Sequence, residues 1–432
     1  MSRTEAPFRR VLDVRLAEAD GPHPSLRPAL VEAGCAVTPM GLASPRGRTP
    51  DAFVADLRGS DRPLGLVNRA RQAAGATPLV LVTGPAPLTG LAEAAERHVL
   101  VQVATDTSPV VRALGRAVRA ADLAREAGLR LAAMTALEQP LSPGDVPHEH
   151  ARVAVLAEPG AHALETLAAL DPAFDVAGVL TRAQALRALE AGDVGALVIA
   201  PGPERRDMAA LVRLIRRQSV LYDVPVVVSE RRRTGRHVAY WARADADGCF
   251  VPAEDGLIAA SVRAGLRRRA VTRRLRALLA RTVLNDGGAE TRLAGSALFD
   301  ACLAERCRRG AGPFALGALR LSARQAAPAP AALTEAAMYL SFGVGAEDLM
   351  ARPAPDLFLF QLASADARGA ERTLSQLAGL AQDLKFGEEG AAQTFESRVA
   401  VTAHRPEDDA QAMIVRALKG VEAARARIAA PA

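Results

Sequence analysis

Short apolar runs alternate with amphipathic stretches along the first third of the chain. "RVLDVRL" predicts a strand, and "PSLRPALVEAG" carries apolar residues at helical spacing up to Gly34, a natural helix stop, before the strand-like "CAV". "DAFVADLRG", "TPLVLVTG" and "HVLVQVATD" read as buried strands, the first ending in an acid. "RPLGLVNRARQAAGA" is helical, and "SPVVRALGRAVRAADLAREAG" predicts a helix with Ser108 as its cap and Pro109 in its first position. Strands alternating with helices of this length predict a parallel, doubly wound sheet.

The pattern then repeats. "ARVAVLAEPG", "FDVAGVLT", "VGALVIAPG", "VPVVVSE" and "DGCFVPAED" are strand-like, with "AQALRALEAG" and "MAALVRLIRRQ" as helices between them. A repeat of this length is a tandem domain, not a solenoid. The predicted domains are 1–135 and 151–268, joined by a linker at 136–150 whose "LEQPLSPGDVPHEH" carries three prolines. From Leu257 to Leu284 the spacing predicts one continuous helix, of which 269–284 forms a stalk. Leu266, Val271, Leu275, Leu278 and Leu279 supply its packed seam, and the arginines a solvated face. The remainder, 285–432, mixes strands and helices around a predicted hairpin, "EDLMARPAPDLFLFQLA". The fold class expected is therefore α/β: two flavodoxin-like domains followed by an α/β sandwich with an antiparallel hairpin.

Composition narrows the function. Of 432 residues, 54 are Lys or Arg and 48 Asp or Glu, and the resulting +6 is too modest to argue for nucleic acid. Aromatics are only 3%, whereas phosphate-tracking surfaces interleave them with basic residues. No apolar run approaches the roughly 18–20 residues needed to span a bilayer, and the N-terminus lacks the apolar core of a secretory signal. Cys35, Cys249, Cys302 and Cys307 lack paired spacing, which fits reduced thiols in a cytoplasmic protein. His148 and His150 sit in the linker with no third ligand nearby and read as solvated.

Taken in order, these segments resemble response regulators of the PleD and PopA type, with two receiver domains and a C-terminal GGDEF (diguanylate cyclase) domain. "TRLAGSALFDACLAE" lies on the family's helix opening, T-G-L-x-N-R-R-x-F: Thr291, Leu293 and Phe299 match, while Arg292, Gly295, Ser296 and Ala297 depart. "FALGALRLSARQ" takes the place of an apolar strand ending D-I-D-x-F-K, with Arg320 and Ser322 at the two acid positions. The hairpin matches D-x-x-A-R-Y-G-G-D-E-F at Asp348, Ala351, Arg352, Asp356 and Phe358, while Ala354, Pro355 and Leu357 replace both glycines and the glutamate. Pro406, Asp408 and Ala417 keep the family's ending.

Condensing two nucleoside triphosphates needs divalent metals held by carboxylates, and glycines that let the backbone approach the nucleotide. Arg320, Pro355 and Leu357 remove these together, so the expectation is a chain that is not an enzyme and holds no metal. The inhibitory product site of the family, R-x-x-D, keeps its acid in Asp348 but has Gly345 at the arginine position, with Arg352 the nearest substitute. By the same resemblance Asp56 is the phosphoacceptor candidate and Thr83 the switch of the first receiver. Its acidic pair falls near Arg15 and Leu16, with Asp13 and Glu18 also within reach, and its fifth strand has no lysine. The second receiver has Ala200 at the acceptor position, Glu158 for the acidic pair, Ser229 for the switch and Val251 before Pro252.

The resemblance implies a scaffold or adaptor in cyclic di-GMP-linked or cell-cycle control and in regulated proteolysis at a cell pole. It implies no cofactor, with cyclic di-GMP as the ligand to consider. It implies protein partners through the receiver faces and the cyclase-like domain, homodimerisation, no nucleic acid and no membrane insertion. Three alternatives stand beside it: a cyclic di-GMP effector, a phosphorylation switch through Asp56, and a residual cyclase using Asp356 and Glu347.

Overall fold

The structure is a computed structural model and describes residues 8–18, 24–41, 49–85, 90–139, 141, 152–170, 174–179, 181–202, 205–254, 256–285, 292–310, 313–323, 328–387 and 393–424. Thr291, His148 and His150 lie outside the described residues. The chain divides into two compact units. One, the doubly wound unit, comprises Leu12–Ala121 and Pro147–Arg273; the other, the antiparallel unit, comprises Met1–Val11, Asp122–Val146 and Arg274–Ala432.

In the doubly wound unit, β1 (Leu12–Glu18), β2 (Cys35–Pro39), β3 (Ala52–Asp56), β4 (Leu79–Thr83) and β5 (Val99–Gln102) form a parallel sheet in the order β2-β1-β3-β4-β5. The second sheet repeats that order: β6 (Arg152–Ala157), β7 (Asp175–Val179), β8 (Ala196–Ala200), β9 (Val226–Ser229) and β10 (Gly248–Phe250) run β10-β9-β8-β6-β7. This 2-1-3-4-5 order places candidate site residues at the carboxyl ends of the strands, where doubly wound sheets bind ligands. β3, β4 and β8 are buried along their whole length, as helices on both faces require. One core cluster takes in residues of both sheets, among them Phe53, Leu81, Val155 and Phe250.

Flanking helices are α1 (Arg27–Glu32), α2 (Pro63–Ala74), α3 (Ala92–Arg97) and α4 (Ser108–Ala136), then α5 (Ala161–Ala168), α6 (Arg182–Glu190), α7 (Arg205–Arg217) and α8 (Gly235–Arg243). The apolar pattern does not predict α3 and α8. The six-residue α3 is too short to show a periodic stripe, although Ala94 and Ala95 are buried. At α8 the arginine run at 231–233 hides a usable signal. Thr234 caps the helix by accepting the His237 N–H, and Val238 and Trp241 are buried one turn apart. Ser108 does not act as the cap expected of it: it is already helical, and the Asp106 carboxylate accepts its N–H at 2.9 Å and its hydroxyl at 2.8 Å.

The long helix is present as α9 (Leu257–Asn285). Its seam differs from expectation. Val271 is exposed, whereas Leu279 is buried against Leu123 and Ala127 of α4, with Leu275 and Leu278 beside them. Leu123 and Ala127 stand four residues apart, so α4 offers a matching apolar stripe within the same chain. No helix among the described residues is long and apolar enough to cross a membrane.

The antiparallel unit continues with α10 (Ser296–Arg309), β11 (Phe314–Ala323), α11 (Pro330–Phe342), β12 (Leu349–Ala354), β13 (Leu357–Ala363), α12 (Ala367–Asp383), β14 (Phe395–Ala403) and α13 (Ala410–Ala423). The sheet order is β12-β13-β11-β14, antiparallel throughout. Both faces are buried. Phe358, Phe360 and Leu362 join the core under α11 and α12, while Leu357 and Leu359 face the core under α10 and α13. A strand buried on both faces has no polar alternation to show, which is why "LFLFQLA" reads as one apolar run.

Candidate functional sites

Two prolines and one acid shape the hairpin tip. Ala354 pairs with Leu357, leaving Pro355 and Asp356 as a two-residue turn. The register slips between Ala351 and Ala354, so Arg352 and Pro353 together oppose Phe358. A strand tolerates proline at a bulge or an outer edge, and Pro353 has both, because β12 ends the sheet. Pro355 brings its fixed φ to the turn, and neither turn residue has positive φ. The Leu321 N–H donates to the Asp356 carbonyl at 2.8 Å, tying the tip to β11.

Around this tip the charge is mostly cationic. Arg320 Nε lies 3.4 Å from Asp356 Oδ2. Arg352 donates from Nε to the Pro355 carbonyl at 2.9 Å, and its guanidinium lies 5.6 Å from the centre of the Phe358 ring. Partial burial pulls the pKa of Arg352 below its ordinary value, opposed by Asp356. On the far side Arg320 faces Arg398 of β14, and Ser322 faces Glu396. Leu357 is 5% exposed, a core side chain. A lone carboxylate among arginines suits an anion and does not fit a divalent cation. Among the described residues no cluster of three metal-ligating side chains occurs anywhere.

Asp348 immediately precedes β12 and Arg352 lies four residues further on, within it; among the described residues they share no partner. The Asp348 carboxylate is buried, accepting from the Ala363 N–H at 2.9 Å and from Arg9 Nη1 at 2.7 Å. Burial pushes its pKa up to about 6, against the downward pull of Arg9. The arginine that meets Asp348 therefore comes from a distant segment, which the local motif could not reveal. The Arg9 carbonyl accepts from the Asp366 N–H, and the Phe8 carbonyl from Arg372, so backbone holds the segment in place. Behind Asp348, Arg130 donates to its carbonyl at 2.8 Å and to the buried Glu126 at 2.8 Å, and Arg306 reaches Glu126 at 2.6 Å. These two cations hold the Glu126 carboxyl below its usual range despite the cost of burial.

At the carboxyl end of β3, Asp56 is also buried and paired. Arg58 grips it with Nη2 at 2.6 Å and Nε at 2.9 Å, and its own backbone N–H donates at 3.1 Å. The strand register settles which acid is its neighbour: Glu18 sits beside Asp56, while Asp13 lies at the far end of β1. Glu18 is engaged elsewhere, accepting from the Ser25 hydroxyl and the Leu26 N–H. Thr83 ends the adjacent strand β4, buried, with its hydroxyl 3.4 Å from the Val101 carbonyl. Arg15 and Leu16 are both buried inside β1. Gln102 ends β5, where a receiver would carry its lysine nearby.

In the second sheet Ala200 is buried at the end of β8. The Glu158 carboxylate rests over Gly202, where any Cβ would lie 2.5 Å from it. Ser229 shares a 2.8 Å hydrogen bond with Thr166, and its carbonyl lies 2.9 Å from His162 Nε2, all three residues being buried. The Val251 N–H donates to Glu254 at 2.9 Å.

No family model matches the chain, and no curated protein matches it. Similar solved structures are GGDEF domains. The diguanylate cyclase SiaD from Pseudomonas aeruginosa, in complex with its activator SiaC, is 17% identical over 36% of this chain and 66% of its own, with a TM-score of 0.29. A sensory box/GGDEF family protein from Caulobacter crescentus is 19% identical over 31% of this chain and 92% of its own, TM-score 0.28. The active GGEEF domain of a diguanylate cyclase from Vibrio cholerae is 14% identical over 27% of this chain and 79% of its own, TM-score 0.24. The expectation that the chain is not an enzyme is corrected here, since the structures it is similar to include diguanylate cyclases, one of them an active domain. Altered residues at a tip do not by themselves amount to inactivity.

Proposed function

We propose that the chain is a response-regulator-like protein of cyclic di-GMP signalling that acts as a scaffold or adaptor. In this reading 1–135 and 151–268 are receiver-like domains, 136–150 a linker, 269–284 a stalk, and 285–432 a GGDEF-like domain. The carrying observation is that an arginine closes on an acid at both candidate sites, Arg58 on Asp56 and Arg320 on Asp356. The buried pair is fixed and the exposed one is open to exchange, so the hairpin offers its arginines to partners and anions. Partners dock on the receiver-like faces and the hairpin, the working form is a homodimer, and its setting is cell-cycle control with regulated proteolysis at a cell pole; these details rest on the family resemblance alone. Cyclic di-GMP is the ligand, with Arg352 as its phosphodiester contact.

Titration calorimetry of the full chain with cyclic di-GMP tests this. Saturable binding that Arg352→Ala weakens is expected; no heat at high micromolar ligand overturns the ligand part. Incubation with GTP and magnesium or manganese, read by mass spectrometry, runs beside it, and product formation would replace the scaffold with a cyclase. A second reading is favoured by Asp56 and Thr83, which end adjacent strands: a phosphorylation switch. It predicts phosphotransfer to the full chain that Asp56→Asn abolishes, and absence of label removes it.

A further inference from the structure

A cavity of about 50 Å³ lies within the doubly wound unit, between β5 with the start of α4 on one side and α8, β10 and α9 on the other. Gln102, Arg116, Trp241, Asp247, Cys249 and Arg268 are among its lining residues. Roughly 10–15 Å³ of such space holds one water, so there is room for about four oxygen-sized atoms and none for a nucleotide.

Two donors in this wall lack an acceptor. Gln102 is 5% exposed; its Oε1 accepts from the Cys249 N–H at 2.7 Å, which orients the amide, and its Nε2 has no hydrogen-bond partner. A buried N–H left unpaired costs on the order of 1–3 kcal/mol. Arg268 is half-buried and lines the cavity; it makes no hydrogen bond or close ion pair among the described residues, and the acid that acts on its charge is Asp247. Burial pulls its pKa below the ordinary arginine value, with Arg116 and Arg267 adding to the fall and Asp247 opposing it.

The nearby acids do not cancel these donors. Asp247 accepts from Arg216 Nη2 and from the Val226 N–H, both at 2.8 Å, and Asp245 accepts from Arg112 Nε at 3.1 Å. Arg116 spans the two, 3.5 Å from Asp245 and 3.4 Å from Asp247, and at 42% exposure marks the solvent side. Four arginines (Arg112, Arg116, Arg216, Arg268) therefore face two aspartates, an excess of two positive charges.

We propose that this cavity is a binding site for one small oxyanion, of the phosphate, sulfate or carboxylate class, held by Gln102 Nε2, Arg268 and Arg116. An oxyanion offers several acceptors at once to donors that converge from three elements, and it offsets the excess charge. The site is separate from Asp56 and from the hairpin, and the proposal does not rest on the signalling role argued above.

Calorimetry on the full chain in phosphate-free buffer, with inorganic phosphate, sulfate and acetate as separate titrants, tests it. One saturable site per chain is expected for at least one titrant, and the best of the three identifies the anion class. Arg268→Met and Gln102→Leu should each weaken binding at least tenfold, while Arg352→Ala leaves it unchanged. Arg268→Met removes a half-buried guanidinium that makes no hydrogen bond among the described residues, so it should fold, and its thermal midpoint should cease to rise with anion. Unsaturable heats with all three anions overturn the proposal. So does binding that survives Arg268→Met, or that is lost with Arg352→Ala, which would put the ion at the hairpin.

Discussion

Asp56 ends a β-strand and Asp356 sits in a hairpin turn, and each acid is matched by an arginine, yet their surroundings differ. Asp56 and Arg58 retain 6% and 4% of their side-chain exposure, and the guanidinium reaches both carboxylate oxygens. Asp356 and Arg320 retain 39% and 30% and meet through one 3.4 Å approach. Burial makes the first pair a fixed structural element, because either charge alone would be stranded in low dielectric. Exposure makes the second a loose pair that solvent and salt compete for. A ligand can displace Arg320 from Asp356 far more cheaply than Arg58 from Asp56.

The largest expected effect follows from the buried pair. Arg58→Ala should destabilise the protein by about 3–5 kcal/mol, the usual cost of leaving one member of a buried pair uncompensated. Urea unfolding measures this, and a loss below about 1 kcal/mol would place the Asp56 pair with surface pairs. Next comes Asp348, whose pKa burial pushes up to about 6, above the ordinary carboxylate value. The folded state then holds a proton that the unfolded chain has released, so stability falls as pH rises from about 4 to about 6. The span is of order 3 kcal/mol at most. Asp348→Asn should flatten that slope, and an unchanged slope would show that the Arg9 pair keeps the carboxylate ionised.

Smaller effects sharpen the exposed side. Pro355→Gly should cost roughly 0.5–1 kcal/mol, because the unfolded chain regains freedom that proline had removed. Arg320→Gln should change stability by less than about 1 kcal/mol, as exposed pairs do. Its thermal midpoint should match the parent's more closely as salt increases, and a loss comparable to that of Arg58→Ala would erase the contrast between the two sites.

Much of the architecture could be read from local pattern. Apolar runs of four to seven residues between amphipathic stretches predict parallel sheets, and the structure adds their strand order, 2-1-3-4-5 in each. The hairpin was equally legible, since Pro353 and Pro355 restrict where strands can end. What escaped was short or non-local. Helix α3 is six residues long, and α8 sits behind an arginine run. Arg9 reaches Asp348 across a sequence separation of 339 residues. No spacing rule pairs residues so far apart, and the Arg352 suggested in its place lies further along β12, bonded to the Pro355 carbonyl.

The order of elements, the turn chemistry at 353–356 and the residue types at each candidate site were determined by sequence alone. These depend on backbone sterics and on hydrophobic periodicity, which act over a few residues. Tertiary structure decided the rest. It closed Arg58 on Asp56, brought Arg9 to Asp348, turned the α9 seam toward α4, and left Gln102 and Arg268 facing one cavity without acceptors. Whether a charge is buried, and what meets it there, depends on segments that converge only when the chain packs.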